Sequence, residues 1–197
     1  MNTLTDTLLN RIKATGEGAI FGNSDFLDLG SRAAVDQTLS RLARRGIIRR
    51  LRPGLYDYPR QSRVGQLSPD PGAVATALSK KSEGRLLASG AYAANLLGLS
   101  TQVPARIVYY TDGDDNRVTV GNQTIELRHA GPRRMAGAGK VSGLVIQALR
   151  YFGKDNVGSD IVDKLRSTLT ESDRALLRQD LSLAAGWLRP ILTRIAE

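Results

Sequence analysis

The sequence contains no cysteine and a single histidine, His129. Without thiols there is no disulfide framework and no thiolate metal site. One imidazole also excludes Cys–His nucleophilic chemistry and multi-histidine metal centres. A Ser-His-acid triad would have to use His129, and no Gly-x-Ser-x-Gly elbow supports one. No glycine loop ends in Lys-Ser/Thr, the arrangement that cradles nucleotide phosphates. No apolar run approaches the about 20 residues that a membrane-spanning helix needs. The N-terminal stretch MNTLTDTLLNRIKAT is amphipathic and lacks the unbroken apolar core of a signal peptide, so a cytoplasmic protein is expected. No repeat of solenoid period is present.

Acids are also scarce relative to bases. The 197 residues carry 28 Lys and Arg against 19 Asp and Glu, for a net charge of +9 and a pI near 10.2. That balance favours a polyanionic partner such as nucleic acid and says nothing about fold. The hydrophobic fraction of 41% supports a real core.

The positive charge concentrates around one stretch, Gly30 to Pro59, GSRAAVDQTLSRLARRGIIRRLRPGLYDYP. Ser31 is placed to cap a helix. Val35, Leu39 and Leu42 fall at i, i+4 and i+7 and define its buried face. On that phase Ala33, Gln37, Ser40, Arg41 and Arg44 point outward. Gly46 stops the helix in the left-handed region. Ile47 and Ile48 begin a strand, Arg52-Pro53-Gly54 turns, and Leu55 to Tyr58 returns. From Arg41 to Arg52 there are six arginines and no acid. A helix that reads the major groove needs polar and cationic side chains on its outer face, and a neighbouring basic hairpin can grip flanking phosphates. The stretch therefore reads as the recognition helix and wing of a winged helix-turn-helix.

The residues before Gly30 fit the same domain. Leu4, Leu8 and Ile12 recur at helical spacing, Ala19-Ile20-Phe21 reads as a short strand, and Asn23 or Ser24 caps a brief helix that turns Phe26, Leu27 and Leu29 inward. Three regions are expected: residues 1–60 as the DNA-binding domain, 61–72 as a linker, read as a simple connector with a DNA contact through Arg60 and Arg63 as the alternative, and 73–197 as a C-terminal domain. In the last, Pro71 to Lys81 reads as a helix, and the small-residue stretch from Leu86 holds another that ends at Gly98. Ala105 to Thr111 is a strand, and Gly121-Asn122 turns a hairpin between Arg117–Val120 and Gln123–Arg128. Helical patterns follow to the end, with Thr170 and Asp173 resembling a capping box and Pro190 starting or kinking a turn. The expected class is α+β, with a small antiparallel sheet in a mixed C-terminal domain and a helical C-terminus.

Several motifs together resemble the AbiEi-type antitoxins of type IV (AbiE) toxin–antitoxin systems. They are G-I-I-R-R-L-R-P-G-L-Y-D-Y-P at residues 46–59 and G-A-Y-A-A-N-L-L-G-L-S-T-Q-V-P-A-R at residues 90–106. The strand Ile107–Thr111, Ile125-Glu126-Leu127-Arg128-His129, and Ala148-Leu149-Arg150 in the helical C-terminus continue the match. The resemblance implies an N-terminal winged helix and a C-terminal antitoxin domain. It implies repression through inverted repeats upstream of the protein's own operon. It also implies a nucleotidyltransferase-like toxin as functional partner, opposed without a stable complex being required.

The DNA-binding candidates are Arg32, Gln37, Ser40, Arg41, Arg44, Arg45, Arg49, Arg50 and Arg52. Arg44, Arg45, Arg49, Arg50 and Arg52 are expected to neutralise phosphates. Arg41 and Arg44 suit guanine edges and Gln37 suits adenine, with Ser40 as an adaptable donor and Arg32 on the backbone. Two copies are needed to engage an inverted repeat, so a homodimer on DNA is expected. Arg128, His129, Arg133, Arg134 and Lys140 form a second basic element, read as a solvated loop or as a further contact surface. Asp112, Asp114 and Asp115 read as turn formers, so no metal and no cofactor is expected. An enzyme is not expected. A metal-dependent nuclease is its strongest form, yet Glu126-Leu127-Arg128 has arginine where such nucleases usually offer lysine. The second reading is a one-component winged-helix regulator whose C-terminal domain senses a small ligand, because residues 86–111 are apolar enough to line a pocket.

Overall fold

A computed structural model describes residues 3–80 and 82–197. The chain divides into two compact units, one of Met1–Leu78 with Val118–Asn122 and one of Ser79–Arg117 with Gln123–Glu197.

In the first unit, α1 (Leu4–Thr15) opens on a reciprocal cap. Asp6 N–H donates to Thr3 Oγ1 at 3.2 Å, and Thr3 N–H donates back to the Asp6 carboxylate at 3.1 Å. Strand β1 (Ile20–Gly22) leads into a single 3-10 turn, Asn23–Phe26. Helix α2 (Arg32–Arg44) follows, then β2 (Arg49–Arg52) and β3 (Leu55–Asp57). The three strands form an antiparallel sheet in the order β1-β3-β2. Leu8, Ile12, Phe21, Val35, Leu39 and Ile48 meet in one buried cluster. Leu27, expected to face inward, is 45% exposed. The helical turn ends at Phe26, so the phase that buries Phe26 does not extend to its neighbour.

The stretch 61–72, read as a connector, has structure of its own. Strands β4 (Gln61–Ser62) and β5 (Gly65–Gln66) pair as a short hairpin. Helix α3 spans Pro71–Ser79, so the helix expected over 71–81 ends two residues early, and Lys81 lies outside the described residues.

The second unit holds β6 (Leu86–Ala88), β7 (Arg106–Thr111) and β9 (Gln123–His129); with β8 (Asn116–Val120), whose residues from Val118 on are assigned to the first unit, they form a four-stranded sheet in the order β6-β7-β9-β8. This sheet is mixed, which corrects the expected antiparallel one: β6 runs antiparallel to β7, but β7 and β9 pair in parallel with Ile107 opposite Ile125. The cause is the link after β7. Four residues, Asp112 to Asp115, carry the chain to β8, and an extended segment of that length reaches about 13 Å. That covers two strand spacings of roughly 4.8 Å each, so β9 returns into the gap between them. Strand β6 lies inside the stretch read as helical. The helix there, α4 (Gly90–Leu96), begins only after it.

Helices α5 (Pro132–Met135), α6 (Val141–Phe152), α7 (Ser159–Thr168), α8 (Glu171–Gln179) and α9 (Arg189–Ala196) complete the unit. Ala93, Ala94, Val145, Leu149, Leu165 and Leu192 lie in one core shared by α4, α6, α7 and α9. Small side chains on α4 let it approach α6 closely. Thr170 and Asp173 make the capping box at the start of α8, and Pro190 sits in the first turn of α9. The whole is a mixed α+β protein with small sheets and a helical C-terminal part.

Candidate nucleic-acid interface

Helix α2 has two chemically different faces. Val35, Leu39 and Leu42 are fully buried, and Thr38 joins them. Phe21 braces this core from β1, edge-on to Phe26 at 5.5 Å and stacked with Tyr56 at 6.5 Å. The outer face presents Arg32, Ala33, Gln37, Arg41 and Arg44 as exposed residues, with Ser40 half-buried beside them. Ser31 Oγ accepts from Ala34 N–H at 3.4 Å and fixes the helix start. Asp36 accepts from Asn23 Nδ2 at 2.8 Å and ties the preceding turn to the helix. Arg32 stands 3.9 Å from the same carboxylate, an exposed pair that contributes little.

The helix ends as its sequence requires. Gly46 adopts φ +70°, and Ile47 N–H reaches back to the Leu42 carbonyl at 3.1 Å. The chain then enters the β2–β3 hairpin, whose register shifts between Arg50 and Arg52 and whose tip holds Gly54 at φ +76°. Successive strand residues face opposite sides. Arg49 pairs with Asp57 across the sheet, so the two side chains share one face. Arg49 Nε donates to Asp57 Oδ1 at 3.0 Å and Arg49 Nη2 to Oδ2 at 2.6 Å. Arg50 is exposed.

The basic stretch is therefore not uniform. Arg41, Arg44, Arg45 and Arg50 are exposed and have no hydrogen-bond or ion-pair partner among the described residues. Arg52 is half-buried and engaged with a neighbour. Arg49 is paired with Asp57, whose side chain is only 1% exposed. The Arg60 guanidinium packs over Gly18, while Arg63 projects from the β4–β5 turn.

The second basic element is largely neutralised within its own unit. Arg128 Nε donates to Glu126 Oε1 at 3.1 Å, and Arg106 Nε takes the other oxygen at 2.7 Å. These two guanidinium groups, Arg106 first, pull the Glu126 carboxyl down to about 2. Lys140 Nζ lies 3.0 Å from Asp180, which also accepts from Ser142 Oγ at 2.6 Å. Ser142 first and Lys140 after it lower the Asp180 carboxyl from its ordinary range. Arg134 stacks over the Tyr110 ring at 4.9 Å. Arg133 is exposed without such a partner among the described residues. His129 Nδ1 lies 2.9 Å from the Gly113 carbonyl.

The aspartates after β7 serve the turn. Asp112 accepts from Arg85 N–H at 2.7 Å and from its Nε at 2.8 Å, and Asp115 accepts from His129 N–H. Among the described residues no group of three metal-binding side chains is placed to hold an ion, and no helix is long and apolar enough to cross a membrane.

No curated protein matches the chain at a significant level. A family model does match, over residues 7–177, which takes in α2, the arginine hairpin and all three sheets. The chain belongs to that family, a family of unknown function designated DUF6088.

Proposed function

We propose that this protein is a duplex-DNA-binding repressor whose residues 1–60 act as a winged helix-turn-helix. One observation carries the reading. Four guanidinium groups, those of Arg41, Arg44, Arg45 and Arg50, stand exposed within ten residues and have no partner among the described residues. Arg11, Arg85, Arg106 and Arg128, by contrast, each hold an acid. Exposed like charges held close together repel, so an arrangement of this kind favours an external anion.

The order α1, β1, turn, α2, β2, β3 and the sheet order β1-β3-β2 support the winged-helix reading. A single 3-10 turn stands where that motif has its second helix. On DNA, Arg41, Arg44 and Gln37 face base edges from α2, while Arg45, Arg50 and Arg52 meet phosphates, with Arg32 and Ser40 at the flank. Two copies read an inverted repeat whose half-sites lie about 34–36 Å apart or a multiple of that distance.

The resemblance to AbiEi-type antitoxins extends the proposal. Residues 73–197 counteract a nucleotidyltransferase-like toxin, and the DNA-binding part represses the operon that encodes both. The protein acts in the cytoplasm and has no catalytic role of its own.

The test is a gel-shift assay with the duplex upstream of the protein's own gene. Wild type gives a shifted band that weakens steeply with salt. A variant carrying Arg41→Ala, Arg44→Ala, Arg45→Ala and Arg50→Ala loses it. Unchanged binding by that variant would falsify the DNA-binding reading. Failure of the full chain to rescue growth from a neighbouring nucleotidyltransferase would remove the antitoxin part alone.

A further inference from the structure

The β4–β5 hairpin has no core to serve. Gln61, Arg63, Val64, Gly65 and Gln66 are exposed, and Val64 is 94% exposed. A two-stranded hairpin without an apolar face is marginal on its own. This one is held from its base and its turn instead. Leu67 N–H donates to the Arg60 carbonyl at 2.9 Å, and Arg49 Nη2 donates to the Leu67 carbonyl at 3.0 Å. That guanidinium is already anchored on Asp57, so the hairpin base is fastened to the β2–β3 hairpin. At the turn, Ser62 Oγ donates to the Gly65 carbonyl at 2.7 Å and accepts from Val64 N–H at 3.3 Å.

These contacts present a two-residue tip, Arg63-Val64, on a supported arm. Arg63 has no partner among the described residues, and no acid occurs from Tyr58 to Pro69. The polar residues around the tip, Gln61, Ser62 and Gln66, all carry hydrogen-bond donors. The minor groove of B-DNA is about 6 Å wide and offers acceptors at A·T pairs. Where it narrows over A-tracts, its negative potential draws in arginine. Apolar side chains beside such cations wedge against base steps. A slim tip with one long cation and one apolar neighbour matches that groove, while the broad outer face of α2 matches the major one.

We infer that the Gln61–Gln66 hairpin is a second DNA-contacting arm that places Arg63 in the minor groove of A·T-rich duplex. This rests on the reading of the first unit as a DNA-binding module. The structural knot of Arg49, Asp57 and Leu67 then has a purpose: it holds the arm at a fixed position relative to the β2–β3 hairpin.

The experiment uses the full chain and fluorescence anisotropy on two duplexes of about 30 base pairs, one A·T-rich and one G·C-only, each with and without netropsin, which fills A·T minor grooves. Wild type prefers the A·T-rich duplex, and netropsin removes the preference. Arg63→Ala weakens binding to the A·T-rich duplex about tenfold and to the G·C duplex by no more than about threefold. Gly65→Ala keeps the charge but strains the turn, where φ is +113°, and gives a partial loss on the A·T-rich duplex only. Equal affinities of wild type and Arg63→Ala on both duplexes would overturn the arm, as would an equal loss on both. If the Arg41, Arg44, Arg45 and Arg50 variant also binds like wild type, the underlying DNA-binding reading falls with it. If that variant loses binding while Arg63→Ala does not, only the arm falls.

Discussion

Arg49 and Asp57 face each other across β2 and β3 and exchange two hydrogen bonds, at 3.0 and 2.6 Å, with the carboxylate almost wholly enclosed. A buried acid that loses its cation is left charged and unsolvated. Arg49→Ala is therefore expected to destabilise the first unit by about 3–5 kcal/mol. Arg50→Ala, one residue on and exposed, should cost no more than about 0.5 kcal/mol. Lysine cannot reproduce the two-pronged contact, so Arg49→Lys recovers only part of the loss. Urea denaturation of the three variants checks the order, and equal midpoints for the Arg49 and Arg50 substitutions would refute it.

Salt dependence separates phosphate contacts from the rest. Each phosphate contact contributes about 0.9 to the slope of log affinity against log salt. Replacing Arg41, Arg44, Arg45 and Arg50 by alanine should lower the magnitude of that slope by roughly 3–4 if all four meet phosphates, and by less where Arg41 or Arg44 reads bases instead. Titrations between 50 and 200 mM salt measure it. A slope that stays at the wild-type value would count against these residues as contacts.

Glu126 gives the second unit a defined acid sensitivity. Its carboxyl is lowered from 4.5 to about 2 by Arg106 and then Arg128. A depressed carboxyl contributes stability that is fully present above the unfolded value and fades as pH falls through the folded one. The contribution is thus present above about 4.5 and lost by about 2. Glu126→Gln should flatten the stability profile across that window and leave its shape near neutrality unchanged. Unfolding midpoints at pH 6, 4 and 2.5 test this, and parallel profiles for wild type and variant would rule it out.

Two glycines predict opposite kinds of failure. An added Cβ at Gly143, inside α6, would come within 2.2 Å of the Gly137 carbonyl oxygen. Gly143→Ala should cost at least about 1–3 kcal/mol through overpacking. Gly46 has open space around it but φ +70°, so Gly46→Ala strains only the backbone, by about 1 kcal/mol. Thermal melts of both should rank Gly143→Ala as the more damaging.

Some of this was legible in the sequence. The start, inner face and end of α2 follow from Ser31, from Val35, Leu39 and Leu42, and from Gly46, because each rests on local rules of cap, period and stop. The three residues of β6 were not readable. Leu86-Leu87-Ala88 is too short to show a period, and the small residues after it continue a helical pattern. The parallel pairing of β7 and β9 depends on where the chain goes after Asp112, which side-chain alternation does not encode. At the candidate interface, counting arginines merged two populations. The geometry separates one buried pair, Arg49 with Asp57, from one open charge, Arg50. The β4–β5 hairpin has no signature in the sequence because its residues are polar and its base is held by Arg49, twelve positions before Gln61.

The insertion of β9 between β7 and β8 also dictates the order in which the sheet can assemble. Strand β8 leaves the ribosome directly after β7, yet its place in the sheet is beside β9. The inner edge of β7 must therefore wait, unpaired, until His129 has been synthesised. The β8–β9 hairpin, closed by a two-residue loop, is a local event on the scale of about 1–10 μs, whereas docking its inner strand onto β7 closes a longer loop and sets the slower pace. Pulse-labelled hydrogen exchange should protect amides within that hairpin before those joining β9 to β7.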